Sequence, residues 1–256
     1  PQVNNPCARN NGGCGEKAIC LLGANAKADC ICPHLHVPVV ENNMTNCQLD
    51  TDFLLLSERK KIRGLKIGGG TKTYNVMPTL TTPFVYNPLA IDYDYKERKL
   101  YWTDDDGLHR PSDIHQHEFR GVIRANLNGT DVETVIDSSI PNPHGFAIDW
   151  ISRNIYFSSY SSNTLATISV ARLDGVHRSV ILEESEENPE AVINWTTSLA
   201  LDPAKGIMFW SNGGPNNGSI WKANMDGTGA SKIFPNENSE VEISNPASLV
   251  IFDNQL

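Results

Sequence analysis

The sequence predicts an all-β protein in two parts: a small disulfide-rich module over residues 1–48, and about four blades of a β-propeller over residues 49–256. Three observations carry this expectation. All six cysteines fall within the first 47 of 256 residues, one pattern of strands recurs three times further along, and each recurrence carries an Asn-Gly or Asp-Gly dipeptide. Composition is ordinary for a globular chain, with 39% apolar and 20% charged residues.

The cysteines are Cys7, Cys14, Cys20, Cys30, Cys32 and Cys47. Crowding them at one end, with none in the remaining 209 residues, is how a stapled mini-domain joined to a self-sufficient core should read. Their spacing leaves the pairing open. A zinc site is the rival reading, since His34 and His36 follow Cys30-Ile31-Cys32, but structural zinc favours Cys pairs with two to four residues between them, and here there is one.

The recurring pattern pairs an apolar strand ending in aspartate with an aromatic strand and a third strand closed by a turn. Its first copy is Pro88-Leu89-Ala90-Ile91-Asp92, Leu100-Tyr101-Trp102-Thr103-Asp104 and Val122 to Gly129. The second is Gly145-Phe146-Ala147-Ile148-Asp149, Ile155-Tyr156-Phe157-Ser158-Ser159 and Val170 to Gly175. The third is Ser198-Leu199-Ala200-Leu201-Asp202, Met208-Phe209-Trp210-Ser211-Asn212 and Ile220 to Gly227. Aligned on Asp92, Asp149 and Asp202, the copies are 57 and 53 residues apart, room for four short strands and hence one propeller blade each. Asn128-Gly129, Asp174-Gly175 and Asp226-Gly227 tolerate positive φ at both centres of a type I′ turn, so each is expected to close a hairpin between the last two strands of its blade.

Together these residues resemble an EGF-like module followed by the YWTD propeller of the low-density-lipoprotein-receptor family, which also includes nidogen and the Wnt co-receptors. Asn10-Asn11-Gly12-Gly13-Cys14 and Cys30-Ile31-Cys32-Pro33 carry the first likeness, and Tyr101-Trp102-Thr103-Asp104 the second. Tyr156-Phe157-Ser158-Ser159 and Phe209-Trp210-Ser211-Asn212 are degenerate copies. The resemblance implies disulfides Cys7 to Cys20, Cys14 to Cys30 and Cys32 to Cys47. Val3-Asn4-Asn5-Pro6 lacks the acidic calcium signature of some such modules, so neither metal nor cofactor is expected.

The resemblance also implies a six-bladed ring, of which this sequence supplies an incomplete part. Phe53 to Ser57 and Lys61 to Leu65 look like the middle strands of blade one, and Asn245 to Phe252 like the inner strand of blade five. An open arc leaves unpaired strand edges, so the remainder of the propeller and neighbouring modules are expected partners.

In that family, protein ligands dock where the inner strands begin. Mapped by motif, the positions are Asn87, His144 and Thr197, with Trp195 two residues earlier, Arg59 from blade one, and Asp105 as an attractor of basic groups. His144 is the residue suited to acid-triggered release; His109, His115 and His117 read as an exposed loop. Asn43, Asn128, Asn194 and Asn217 head glycosylation sequons. The runs Glu183-Glu184-Ser185-Glu186-Glu187 and Asp104-Asp105-Asp106 read as solvated loops.

A net charge of -9 argues against nucleic acid and anionic membrane as partners and favours a basic protein ligand. No stretch reaches the roughly 20 apolar residues of a membrane span. The expected function is therefore ligand binding in the ectodomain of an endocytic or signalling receptor, with a nidogen-type matrix protein as the alternative. No constellation for catalysis is present in the sequence, and no enzyme activity is expected.

Overall fold

The computed structural model describes residues 5–23, 26–32, 36–49, 53–66, 77–81, 85–105, 120–137, 140–161, 164–184, 193–213, 218–235 and 242–251. The chain divides into two compact units, residues 1–56 with 63–79, and residues 57–62 with 80–256.

In the first unit, two 3-10 turns (Pro6–Ala8 and Asn10–Gly13) precede two antiparallel hairpins. The first pairs β1 (Ile19–Leu22) with β2 (Ala28–Ile31), the second β3 (His36–Glu41) with β4 (Met44–Leu49). Disulfides join Cys7 to Cys20, Cys14 to Cys30 and Cys32 to Cys47, leaving no thiolate for zinc. Among the described residues, Cys14, Ala18 and Cys47 form the buried cluster of this module, with Cys20, Cys30 and Cys32 against it. So small a core needs covalent closure, worth about 2–4 kcal/mol per bridge.

After the first unit's hairpins, β5 (Phe53–Glu58), β6 (Lys61–Lys66) and β7 (Leu80–Thr81) form a three-stranded sheet in that order. Three four-stranded antiparallel sheets follow. They are β8 (Pro88–Asp94) to β11 (Glu133–Ile136), through β9 (Lys99–Asp105) and β10 (Arg120–Asn126); β12 (Pro143–Asp149) to β15 (Ser179–Glu183), through β13 (Asn154–Ser161) and β14 (Thr164–Arg172); and β16 (Thr196–Asp202) to β19 (Ser231–Phe234), through β17 (Ile207–Asn212) and β18 (Ser219–Asn224). The inner strand β12 lies between β8 and β16, so the sheets stack side by side as propeller blades do.

Period-two alternation explains the stacking. Ile155 and Phe157 join Tyr101, Val122, Phe146 and Ile148 in the core between the second and third sheets. Their neighbour Tyr156, with Ala147, Leu199, Met208, Trp210 and Trp221, fills the core between the third and fourth. Each fully buried large apolar side chain contributes about 1.5–3 kcal/mol.

The aromatic motif has a structural role at each letter. Asp104 is fully buried and accepts the N–H groups of Asn87 (2.8 Å) and Tyr86 (3.0 Å) and Nε1–H of Trp102 (3.2 Å), locking the incoming loop to β9. Thr103 accepts the N–H of Ala90 at 3.0 Å, where β8 bulges between Pro88 and Ile91. Ser158 does the same for Gly145 at 2.8 Å in the third sheet. Asn212 stands in for Asp104 in the fourth, taking the Thr196 hydroxyl at 3.2 Å and the Asn194 N–H at 3.4 Å.

Strand register corrects the repeat alignment. Asp92 lies opposite Tyr101, whereas the residues opposite Tyr156 and Phe209 are Ala147 and Ala200. The equivalent of Asp149 and Asp202 is therefore Asp94, and the true spacings are 55 and 53 residues. Asp92 is an extra carboxylate. The true repeat position is a turn cap: Asp94 accepts the N–H groups of Lys96 and Glu97, Asp149 those of Ile151 and Ser152, and Asp202 that of Lys205. Four residues on, Arg98, Arg153 and Gly206 all have positive φ. Arg153 reaches back to the preceding sheet and clamps both oxygens of Asp94 at 2.5 Å, with Glu97 at 2.8 Å.

Turn chemistry differs from expectation in one respect. The three dipeptides do close hairpins between the last two strands, but only Gly129, Gly175 and Gly227 have positive φ. Gly129 N–H donates to Asn126 and Asn126 N–H to the Thr130 carbonyl, so the loop is a type I turn followed by a glycine bulge. Asn128 acts as a cap instead, its Oδ1 accepting the Thr130 N–H at 3.0 Å.

Of the inner strand expected over Asn245 to Phe252, residues 245–251 are described and form no strand. They run beside β16, where Leu249 N–H donates to Ser198 Oγ at 2.9 Å and the Pro246 carbonyl accepts the Thr197 hydroxyl. A strand needs a ladder partner, and Gly218 with Ile243 makes only an isolated bridge.

Candidate ligand-docking face

The starts of β8, β12 and β16 and the ends of β9, β13 and β17 lie at one end of their sheets, as Pro88 opposite Asp104, Pro143 opposite Ser159 and Thr196 opposite Asn212 require. The residue after each motif copy closes this end by one backbone bond: Asp105 N–H to Asn87, Tyr160 N–H to Pro141, and Gly213 N–H to Trp195. Side chains at these positions are thus set on rigid strand ends, the arrangement that suits recognition.

Three rings meet there. His144 and Tyr160 stack with centroids 5.4 Å apart and planes at 26°; Tyr160 and Trp195 meet at 5.4 Å and 41°. Trp195 is 46% exposed although its backbone is fixed at both groups, its N–H donating to Asn194 Oδ1 and its carbonyl accepting Gly213 N–H, each at 2.7 Å. The result is an aromatic ledge with a pre-ordered, solvent-facing indole.

Electrostatics at the ledge are set by burial and one carboxylate. Burial pushes His144 below the usual histidine range, and Asp105 partly opposes this. Tyr160 is raised by burial and by the same carboxylate. Asp105 is also paired with Arg120 at 3.2 Å, so its charge is shared.

Of the sequence-derived residues, Asn87, Asp105, His144 and Trp195 lie at this end. Thr197 is directed into the fold, its hydroxyl bonded to Ser211 at 2.8 Å and to the Pro246 carbonyl. Arg59 is exposed in the turn between β5 and β6. The two-residue slip at Asp92 recurs here: by register, Asn87 is the counterpart of Trp195, and Leu89 that of His144 and Thr197. Tyr160, absent from the sequence-derived set, is the link between His144 and Trp195; its signal was available as the position after the motif, shared with Asp105.

Asn43 (φ 60) is exposed in the β3–β4 turn, Asn128 is exposed in the β10–β11 turn, and Asn194 is exposed beside the ledge. Asn217, His34, His109, His115, His117, Asp106 and Ser185 to Glu187 lie outside the described residues. Among the described residues, no three His, Cys, Asp or Glu side chains gather to hold a metal ion, and no helix is long and apolar enough to cross a membrane.

Comparison with known proteins agrees with the architecture. Residues 153–203 match the low-density lipoprotein receptor repeat class B family. Over 156 residues, 60% of this chain, the sequence is 32% identical to low-density lipoprotein receptor-related protein 5 of Mus musculus; the match spans 9% of that relative's length. A chain from the crystal structure of a nidogen/laminin complex superposes with a TM-score of 0.55 at 23% identity, covering 70% of this chain and 60% of that one.

Proposed function

Taking the chain as a YWTD propeller of the low-density lipoprotein receptor type, led by an EGF-like module, we propose that it is an extracellular ligand-binding segment of an endocytic or signalling receptor, docking protein ligands on the ledge of His144, Tyr160 and Trp195. The observation that carries this reading is Trp195, an indole held rigid by its backbone, stacked on Tyr160 and still half exposed. Aromatic anchors of this kind dominate interface energetics because they lose little conformational freedom on binding. Residues 1–48 serve as the spacer module and 49–256 as the blades, in a single-pass receptor that cycles through endosomes.

Acid release follows from His144. It is neutral at pH 7.4, and acidification places a cation in a partly buried stack, altering the ledge. Because burial lowers its pKa, the change belongs below pH 6.5. The excess of 30 acidic over 21 basic residues favours basic ligands through their rate of encounter.

Panning a phage-displayed random peptide library on the immobilised protein at pH 7.4, with elution at pH 5.5, tests this reading. Peptides should be enriched whose binding is lost in Trp195→Ala and kept in Trp150→Ala, a distant exposed indole. Equal binding to both variants would remove the ledge from the function. The alternative, a matrix protein of nidogen type, rests on the fold shared with the nidogen/laminin complex and predicts direct binding of laminin.

A further inference from the structure

The sequon Asn194-Trp195-Thr196 contains the exposed indole of the ledge itself, and we propose that Asn194 is an N-glycosylation site whose glycan covers Trp195 and so regulates docking. This inference rests on the ledge being the docking face.

The geometry suits a glycan at this asparagine. Asn194 is exposed, and its Oδ1 is the acceptor that fixes the Trp195 N–H at 2.7 Å. A glycan is carried on Nδ2, so attachment leaves that hydrogen bond and the position of the indole intact. The adjoining sugar then begins one residue from a half-exposed ring, whose face offers the apolar surface on which pyranose C–H groups stack. Asn128, in contrast, sits in the β10–β11 turn, at the opposite end of its sheet from Asp105 and the strand ends that carry the ledge. Modification there leaves docking unaffected.

The folded protein also fixes when modification happens. Thr196 is 2% exposed, and its hydroxyl donates to the Asn194 carbonyl (3.0 Å) and Asn212 Oδ1 (3.2 Å). A transferase that engages the sequon hydroxyl must act before β16 pairs with β17, while the chain is being made. In the transfer, Nδ2 bonds to the anomeric carbon of an oligosaccharide carried on a lipid pyrophosphate. The anomeric C–O bond breaks, the lipid pyrophosphate leaves, and the Nδ2 proton passes to the transferase. Occupancy is therefore decided once per molecule, giving a docking-competent and a covered form with the same fold.

The test uses the whole chain secreted from a glycosylating eukaryotic cell and needs no ligand. Trp195 and Trp150 are the exposed indoles among the described residues, while Trp102, Trp210 and Trp221 are buried, so Trp150 is an internal reference. Peptide mass analysis should find a glycan on Asn194. Limited oxidation with N-bromosuccinimide should then modify Trp195 several-fold more slowly than in Asn194→Gln or in protein freed of its whole glycan by an amidase, which leaves aspartate at 194, with Trp150 unchanged throughout. The amidase-treated protein guards against disturbance of the ledge by the glutamine, since its carboxylate can still accept the Trp195 N–H. An unmodified Asn194, or equal Trp195 reactivity with and without the glycan, overturns the proposal. Loss of peptide binding in Trp195→Ala concerns the docking reading alone, so the two can fail separately.

Discussion

Replacing Asp104 by alanine tests why the motif ends in aspartate. The carboxylate is fully buried and accepts three N–H groups at 2.8, 3.0 and 3.2 Å, two from the incoming loop and one from Trp102. A hydrogen bond to a charged group contributes about 1.5–3 kcal/mol, and these three share one acceptor, so their losses overlap rather than sum. The expected cost is about 3–5 kcal/mol, because the substitution leaves three donors without this acceptor at about 1–3 kcal/mol for each buried donor left unsatisfied. Asp104→Asn should cost about half, since one oxygen remains and Asn212 already does this work in the next-but-one blade at longer distances. Urea unfolding under non-reducing conditions, followed by tryptophan emission, measures both variants. A cost for Asp104→Ala below about 1 kcal/mol would refute the assignment of the carboxylate as the lock between loop and sheet.

Four other outcomes are expected. Gly175→Ala should cost at least about 3 kcal/mol, because the φ of 82° is strained for alanine and its Cβ would lie 2.0 Å from the Val135 carbonyl oxygen of the neighbouring sheet; Gly206→Ala, at φ 68° with open space, should cost only about 1–2 kcal/mol, and equal losses in thermal unfolding would contradict the close approach. Asp92→Asn should raise stability at pH 7.5 and remove part of its pH dependence: burial lifts the folded pKa from 3.8 to about 6, so the native state binds more protons, and the stabilisation present below 3.8 is lost as pH rises through about 6. His144 has the opposite sign, its depressed pKa withdrawing stability as pH falls below 6.5, so His144→Gln should flatten that limb; a pH profile unchanged in either variant would exclude its residue. Arg153→Ala, which strips the bidentate clamp from a buried Asp94, should cost about 3–5 kcal/mol, with Glu97→Gln near neutral because Glu97 is 51% exposed; equal effects would locate the stabilisation elsewhere.

Much of the fold was legible because its signals are local. Cysteine placement marks the module, and aromatic strands followed by Asn-Gly or Asp-Gly mark the blades, since a strand period of two and a glycine bulge are properties of short segments. What misled was a chance carboxylate. Asp92 mimics the turn cap two residues before the real one, Asp94, and only strand register, a long-range property, separates them. That slip propagated to the candidate docking face, pairing Asn87 with His144 when its counterpart is Trp195. Thr197 was misread for a related reason: a hydroxyl beside the inner strand looks the same in sequence whether it faces solvent or, as here, bonds to Ser211. Tyr160 was missed although it holds the position after the motif, as Asp105 does, because that position does not by itself announce stacking between neighbouring blades.

Docking on the end of the sheets bearing His144, Tyr160 and Trp195, as proposed, would leave a local footprint in the backbone amides. Hydrogen exchange of the whole chain with and without a peptide selected by panning tests it most directly. Slower exchange is expected in residues 141–146, 158–161 and 193–197, with none in the turns at 94–98 and 149–153 at the opposite end of the sheets. Protection confined to those turns, or to the disulfide-bonded module, would contradict it.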